Sequence, residues 1–262
     1  MNAGFEERSA GEARAFVCRP LEDAGFLNAF SSRPGGVSPF PIGALNLSYL
    51  GDDAANVEEN RRRFLRAAAL PSYPLVTVRQ THSTLVVEAS AKTAPETEGD
   101  ALFSRDPGVY VGVKTADCVP ILLADPKTGA TAAVHAGWKG AADNILAKAV
   151  SALARAGARP ADLVAAVGPA ACGLCFEVGN EIADRFKAIG AGAALTPTGE
   201  RALLDIPAVC ALQLQAAGVP ADRIHQSALC TMHEEGLFFS HRREAKDGKS
   251  VGRLLSVIGR KA

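Results

Sequence analysis

Two neighbouring stretches decide the fold: Thr115-Ala-Asp-Cys118-Val-Pro-Ile-Leu-Leu-Ala-Asp125 and Thr131-Ala-Ala-Val-His135-Ala-Gly-Trp-Lys-Gly140. Val119–Asp125 is a continuous apolar run, the pattern of a strand covered on both faces. Thr131–His135 is a second such run. Gly137 and Gly140 then turn the chain into a helix predicted from about Ala141 to Ala156. Strand followed by helix at this spacing is the mark of an α/β protein.

The same alternation extends outward. Upstream, Leu75–Val78, Leu85–Glu88 and Val109–Val113 carry strand signals. Before them, Asp53 reads as the N-cap of a helix from Ala54 to about Ala69, with Val57, Phe64, Leu65 and Ala68 at helical spacing. Downstream, Leu163–Val167 and Leu254–Ile258 read as strands. Helices are predicted over about Asn180–Ile189 and Ile206–Ala217, the latter stopped by Gly218-Val-Pro220. Residues 1–15 read as a flexible N-terminal arm and Phe16–Arg19 as an edge strand, while the Gly- and Pro-rich stretch from Ser31 to Pro41 suggests a flap. The tail from Phe238 to Gly252 is polar and basic. With no internal repeat and no long linker, residues 16–262 are expected to form a single catalytic domain.

Composition narrows the function. The 262 residues are 48% hydrophobic and carry no formal net charge, so neither nucleic acid nor an anionic membrane surface is favoured as a partner. No run approaches the length of a membrane span. The N-terminal residues lack the apolar core of a secretory signal, so a cytoplasmic location is expected. The six cysteines are then buried hydrophobes, ligands or nucleophiles rather than disulfides. No dinucleotide fingerprint, P-loop or nucleophile elbow is present, which argues against nicotinamide, ATP and α/β-hydrolase chemistry.

Three segments each place one soft ligand at the edge of an apolar run: His82 in Gln80-Thr-His-Ser, Cys118 in Ala-Asp-Cys, and His135 in His-Ala-Gly-Trp. Two readings fit them. One Cys and two His give zinc three ligands and leave a fourth position open, the layout of a catalytic metal site. The same residues also suit a thiol nucleophile with a histidine base. Asp117 must be solvated or hydrogen-bonded, because burying a lone carboxylate is costly, so Asp117 and Cys118 are expected to face a polar cleft. The helix start near Gly137–Gly140, with Lys139, suggests an anion site. Cys172-Gly-Leu-Cys175 has knuckle spacing, but no second Cys or His pair stands out as its complement. His225, His233 and His241 do not read as metal ligands.

Taken in order, these segments resemble the YfiH/YlmD-like family, variously described as laccase-domain or polyphenol oxidase proteins, a peptidoglycan editing factor and purine nucleoside phosphorylases. The resemblance runs through Leu45-Asn46-Leu-Ser48, Val57-Glu-Glu-Asn-Arg61, Gln80-Thr-His82, Glu98-Gly-Asp100-Ala, Thr115-Ala-Asp-Cys118-Val-Pro120, Val134-His135-Ala-Gly-Trp138, Gly168-Pro169, Phe176-Glu-Val-Gly179, Phe239-Ser-His-Arg242-Arg and Gly252-Arg253. It implies an α/β fold with a central mixed β-sheet flanked by helices, related to the toxin-deamidase (cytotoxic necrotizing factor-like) fold. It also implies zinc on His82, Cys118 and His135, with phosphorolysis of adenosine, inosine and 5′-methylthioadenosine and some adenosine deamination.

On that reading Asp117, Cys118, His82 and His135 are catalytic, and Arg61, Asn46, Gln80, Lys139 and Arg242 bind nucleoside or phosphate. The partners are a small-molecule nucleoside and phosphate, and the protein is a monomer or small homo-oligomer. Two rivals are a cysteine hydrolase editing a cell-wall precursor and a copper-dependent polyphenol oxidase. Five histidines and two methionines are too few for a four-copper centre, although Cu2+ could still bind such a donor set. The chain departs from the family pattern at Ala170-Ala171, where an x-Ile is usual, and at Phe176, where a Tyr is usual.

Overall fold

The computed structural model describes residues 4–40, 42–245 and 250–262. Part of the polar tail, residues 246–249, and Pro41 of the expected flap lie outside the described residues. The chain opens with β1 (Phe5–Ala10), β2 (Ala13–Cys18), a short α1 (Arg19–Asp23), β3 (Phe26–Ser31) and α2 (Ala54–Ala67). The middle supplies β4 (Leu75–Val76), β5 (Val86–Glu88), β6 (Ala101–Ser104), β7 (Tyr110–Thr115), β8 (Val119–Ala124) and β9 (Thr131–Ala136). Then come α3 (Trp138–Ala142), α4 (Ile145–Arg155), β10 (Val164–Val167), β11 (Glu177–Gly179) and α5 (Asn180–Ala188). The last part holds β12 (Leu195–Thr198), β13 (Arg201–Leu204), α6 (Ile206–Ala216), β14 (Ile224–Gln226), α7 (His241–Glu244) and β15 (Leu254–Arg260).

Two mixed six-stranded sheets, not one central sheet, carry the structure. Their orders are β1-β2-β3-β15-β7-β4 and β14-β10-β8-β9-β6-β5, and β11-β13-β12 form a small third sheet. The large sheets pack face to face, with Phe16, Phe30, Val111, Val113 and Ile258 of one sharing a core with Leu122, Ala133 and Ala166 of the other. On the far side of the second sheet, Val119, Ile121, Leu123 and Val134 meet Ile145, Leu146 and Leu153 of α4 and Leu214 of α6. On the far side of the first, Ala15, Val17, Leu255 and Val257 meet Phe64 and Ala67 of α2. The layers therefore run helix, sheet, sheet, helix.

Side-chain parity explains the apolar run in β8. Its odd positions face the helices and its even positions face the other sheet. Both faces are dry, so alternation disappears from the sequence. The single-sheet reading failed because this doubly buried pattern does not reveal which layer lies on either side.

Local corrections have local causes. Residues 5–10, read as part of an arm, pair antiparallel with β2 from Phe5↔Cys18 to Ala10↔Ala13. That pairing also makes β2 an inner strand rather than an edge, since β3 lies on its other side. The helix predicted from Ala141 to Ala156 is two helices, parted at Asn144, which sits in the left-handed region at φ 55° and caps α4 by accepting from the Ala147 N–H. Asp53 caps α2 as read, accepting from the Ala55 N–H at 2.7 Å. No helix among the described residues is long and apolar enough to cross a membrane.

Candidate functional site

The register of β8 against β9 pairs Val119 with Ala136 and Pro120 with His135. Cys118, one residue before β8, thus lies diagonally across from His135 at one end of the second sheet. His82 arrives from the loop between β4 and β5. One ligand atom from each of His82, Cys118 and His135 lies within 4.8 Å of the others. Cys118 Sγ is 3.9 Å from His82 Nε2, and the two imidazole rings meet edge to face at 4.9 Å. The sequence-predicted trio is one cluster.

Asp100 builds this cluster. Its fully buried carboxylate accepts from His135 Nδ1 at 2.8 Å, from Ser83 Oγ at 2.7 Å, and from the N–H groups of Thr81, His82 and Ser83 at 3.2, 3.0 and 2.6 Å. The His135 N–H donates back to the Asp100 carbonyl at 2.7 Å. One residue thereby fixes the orientation of one imidazole and the backbone of the other. Those bonds hold His82 in the left-handed region at φ 58°, a strain found where surroundings over-determine a functional geometry. Burial by itself would raise the Asp100 carboxyl. The hydrogen bonds from His135 and Ser83 outweigh it and keep the group well below the usual carboxylate range.

The donor set fits a soft divalent cation. A histidine whose far nitrogen is held by a carboxylate is the usual support for a metal-ligating imidazole. Gly137 gives a second sign of a built site. A Cβ there would stand 2.8 Å from His82 Cδ2 and 3.1 Å from Cys118 Sγ, so only glycine lets both ligands reach this turn. In the metal-free protein, burial raises the Cys118 thiol, but the positive charge of His135 and hydrogen bonds from both histidines pull it down to about 6. Burial lowers His135, and the Cys118 thiolate and Asp100 more than reverse this, to about 9.

A cavity of about 340 Å³ opens beside the trio, within the size range of small-molecule sites. Trp138, Phe176, Val178, Ile182 and Ile206 give it an apolar wall, and Arg201, His241 and Arg242 supply polar groups. The Arg242 guanidinium lies over the Phe176 ring at 4.8 Å and donates to the Glu177 carbonyl at 3.0 Å. Arg201 pairs with the Glu177 carboxylate at 2.7 Å.

Asp117 also reaches this cavity, but its carboxylate is engaged. It accepts from Thr231 Oγ1 at 2.7 Å, Ser240 Oγ at 3.0 Å and the Arg242 N–H at 2.7 Å. Both carboxylate oxygens are thus taken up in holding the chain together. Its φ of 85° bends the backbone into Cys118.

Four expected substrate contacts are not brought to the trio. Gln80 is spent on the Lys114 backbone, donating to its carbonyl at 2.7 Å and accepting from its N–H at 2.8 Å. Asn46 is buried, donating to Ser48 O and Asp52 Oδ2 and accepting from the Arg253 N–H. Arg61 lines a separate, wider groove, stacked over Tyr49 at 4.5 Å. Lys139 is exposed on α3, which is only five residues long, and does not line the cavity. Of the expected contacts only Arg242 lines the cavity.

Sequence reasoning gave no role to Asp100 or Arg201, although Asp100 stands within one of the segments that carry the resemblance. Asp100 had a usable signal, a lone carboxylate opening the wholly buried strand Ala101–Ser104, the same clue applied to Asp117. Arg253 was missed as well. Its guanidinium is lowered by burial, opposed by the charges of Cys118 and Asp117 nearby.

Comparison with known proteins places the chain in a family. Residues 27–261 match the family model described as multi-copper polyphenol oxidoreductase laccase. The chain is 39% identical over 232 residues to a protein of Deinococcus radiodurans named purine nucleoside phosphorylase, covering 88% of each. It is 37% identical over 231 residues to Escherichia coli purine nucleoside phosphorylase YfiH, covering 87% of this chain and 91% of that one. The crystal structure of YlmD from Geobacillus stearothermophilus superposes with a TM-score of 0.89 at 31% identity over 99% of both chains. A family model matched by residues 27–261, 37% identity to YfiH and a two-sheet fold that superposes on YlmD over nearly its whole length make this chain a member of the laccase-domain family that includes YfiH and YlmD.

Proposed function

We propose that this protein is a zinc-dependent purine nucleoside phosphorylase acting on adenosine, inosine and 5′-methylthioadenosine. The observation that carries the reading is the trio, with its ligand atoms within 4.8 Å of one another, at the edge of a cavity with one apolar wall and two arginines. The names of the relatives support the reaction class. A metal-free cysteine hydrolase is less well supported, because Asp100 and Gly137 are arranged to present all three side chains to one point. His82, Cys118 and His135 would hold the zinc, which supplies Lewis acidity toward an oxygen of the substrate or phosphate.

The rest of the chemistry falls to the chain. Phe176, Val178 and Ile182 offer a flat apolar face to a purine and exclude water from the glycosidic bond. Arg242 and Arg201 orient the phosphate by their planar forks. His241, on the same wall, has the chemistry to exchange a proton with the leaving base. Asp117 acts by position, holding Cys118 and the start of α7 in place.

The test is base release from each nucleoside by metal-analysed protein, with and without phosphate. Release of base together with the 1-phosphate of that nucleoside's own sugar, only when phosphate is present, supports the reading. Release without phosphate would mean hydrolysis, and full activity of metal-free Cys118→Ala would remove the metal from the mechanism. Ammonia is followed in parallel, because a relative named adenosine deaminase RL5 is 37% identical over 226 residues.

A further inference from the structure

Away from the trio, Cys172, Cys175, Cys230 and His233 bring one ligand atom each to within 4.8 Å of the others. None of the four lines the cavity. They come from two tight turns of the same form. In Cys172-Gly-Leu-Cys175 the N–H groups of Cys175 and Phe176 return to the Cys172 carbonyl at 3.0 and 3.1 Å. In Cys230-Thr-Met-His233 the Glu234 N–H returns to the Cys230 carbonyl at 3.0 Å. The turns are laced side by side, Ala170 donating to Leu229 and Thr231 to Ala170 at 3.2 and 3.0 Å. The complement to Cys172 and Cys175 thus lies 55 residues further on, as a Cys-x-x-His pair.

The spacings decide what the cluster suits. Around a tetrahedral zinc with Zn–S of about 2.3 Å, two sulfurs stand about 3.8 Å apart, and a sulfur and a nitrogen about 3.6 Å apart. Here Cys172 and Cys175 Sγ are 3.7 Å apart, and Cys230 and Cys175 Sγ are 3.8 Å apart. The His233 ring lies 3.1 Å from Cys175 Sγ through Nε2 and 3.9 Å from Cys172 Sγ through Nδ1. The sulfur–sulfur distances match the tetrahedral edge and far exceed the roughly 2.04 Å of a disulfide.

We propose that Cys172, Cys175, Cys230 and His233 hold a second, structural zinc ion. Three thiolates and an imidazole are a soft set that selects zinc over magnesium or calcium. Four protein ligands close the coordination sphere, so no substrate reaches the ion. Each thiol entering as thiolate gives its proton to solvent. The ion fastens the two turns from which the cavity wall is built. Phe176–Gly179 follows Cys175 directly and lines the cavity, while Thr231 donates to Asp117 and accepts, with Met232, from Arg243. This inference does not depend on the reading of the trio.

The experiment is metal analysis of the full chain, purified without a polyhistidine tag. Wild type should carry about two zinc ions. The His82→Ala/Cys118→Ser variant should keep one, and its cobalt-substituted form should show strong near-ultraviolet thiolate-to-cobalt bands. His233→Ala and Cys230→Ser should each lose one zinc relative to wild type and melt at a lower temperature. A metal-free His82→Ala/Cys118→Ser protein, or a Cys172–Cys175 disulfide in the native chain by mass spectrometry, would overturn the assignment. Should Cys230→Ser not fold, the double variant decides alone, because it leaves all four ligands in place.

Discussion

Replacing Asp100 tests how the candidate site is held together. Its carboxylate accepts five hydrogen bonds, four of them from the Thr81–Ser83 turn and one from His135. Asp100→Asn keeps the volume but leaves one oxygen where two served, and its NH2 group must face existing donors. A hydrogen bond to a charged group is worth about 1.5–3 kcal/mol, and such losses are not additive within one network. We therefore expect roughly 2–4 kcal/mol of lost stability in urea unfolding. Zinc affinity, measured by chelator competition, should fall about ten- to a hundredfold, the usual effect of removing a partner of a metal-bound histidine. That corresponds to about 1.4–2.8 kcal/mol. The stability difference has a definite pH sign. Because the folded pKa is depressed, the stabilisation is fully present above the ordinary carboxylate value of 3.8 and is lost as pH falls below it. Wild type and variant should converge in acid. Unchanged zinc affinity together with unchanged stability at neutral pH would refute the bracing role.

Other perturbations address neighbouring atoms. Gly137→Ala puts a Cβ 2.8 Å from His82 Cδ2, so zinc affinity and turnover should drop roughly tenfold or more while circular dichroism stays native; a fully active variant would show that the ligands do not need this close approach. In the metal-free protein, alkylation of Cys118 should rise with a midpoint near pH 6, and zinc should block it; a midpoint near 9 would mean that the histidines do not stabilise the thiolate. The charged pair has a stability window too. The His135 contribution is lost as pH rises through about 9 and the Cys118 contribution as pH falls through about 6, so urea midpoints of metal-free protein should be highest between those values. Gln80→Ala should cost about 1–3 kcal/mol in stability, because it strands the Lys114 backbone groups. Its KM for nucleoside should stay at the wild-type value, and a large rise would restore Gln80 to the substrate site.

What could be read in the sequence was what depends on short-range pattern. The burial of β8 and β9, the Asp53 cap and the placing of Cys118 and His135 at strand ends all follow from residues within one turn or one strand of each other. What could not be read depends on partners far along the chain. Whether the even side of Val119–Ala124 meets helices or a second sheet is set by Phe16, Phe30 and Ile258, which no local window contains. Asn46 and Gln80 misled for a related reason. A polar side chain in a family motif looks the same whether it greets a substrate or satisfies buried backbone, and here the backbone of Lys114 and Ser48 claims them. Asn144 broke a helix that periodicity alone continued, because its left-handed backbone is a turn property and not a hydropathy one.

The two thiol clusters are mechanically joined through Asp117. The Ala171 N–H, one residue before Cys172, donates to the Asp117 carbonyl at 3.0 Å, and Thr231, one residue after Cys230, donates to its carboxylate. Asp117 in turn sets the bend that delivers Cys118. A loosened knuckle therefore acts on the trio through hydrogen bonds that converge on Asp117, but on the Phe176–Gly179 wall directly along the chain. Loss of the second ion should raise KM, which reads the wall, more than it lowers kcat, which reads the trio. His233→Ala is the variant in which to look, since it removes a ligand without touching Asp117, the trio or the cavity lining. An equal fall in kcat with KM unchanged would mean that strain passes through Asp117 instead, and that the two centres are coupled rather than merely adjacent.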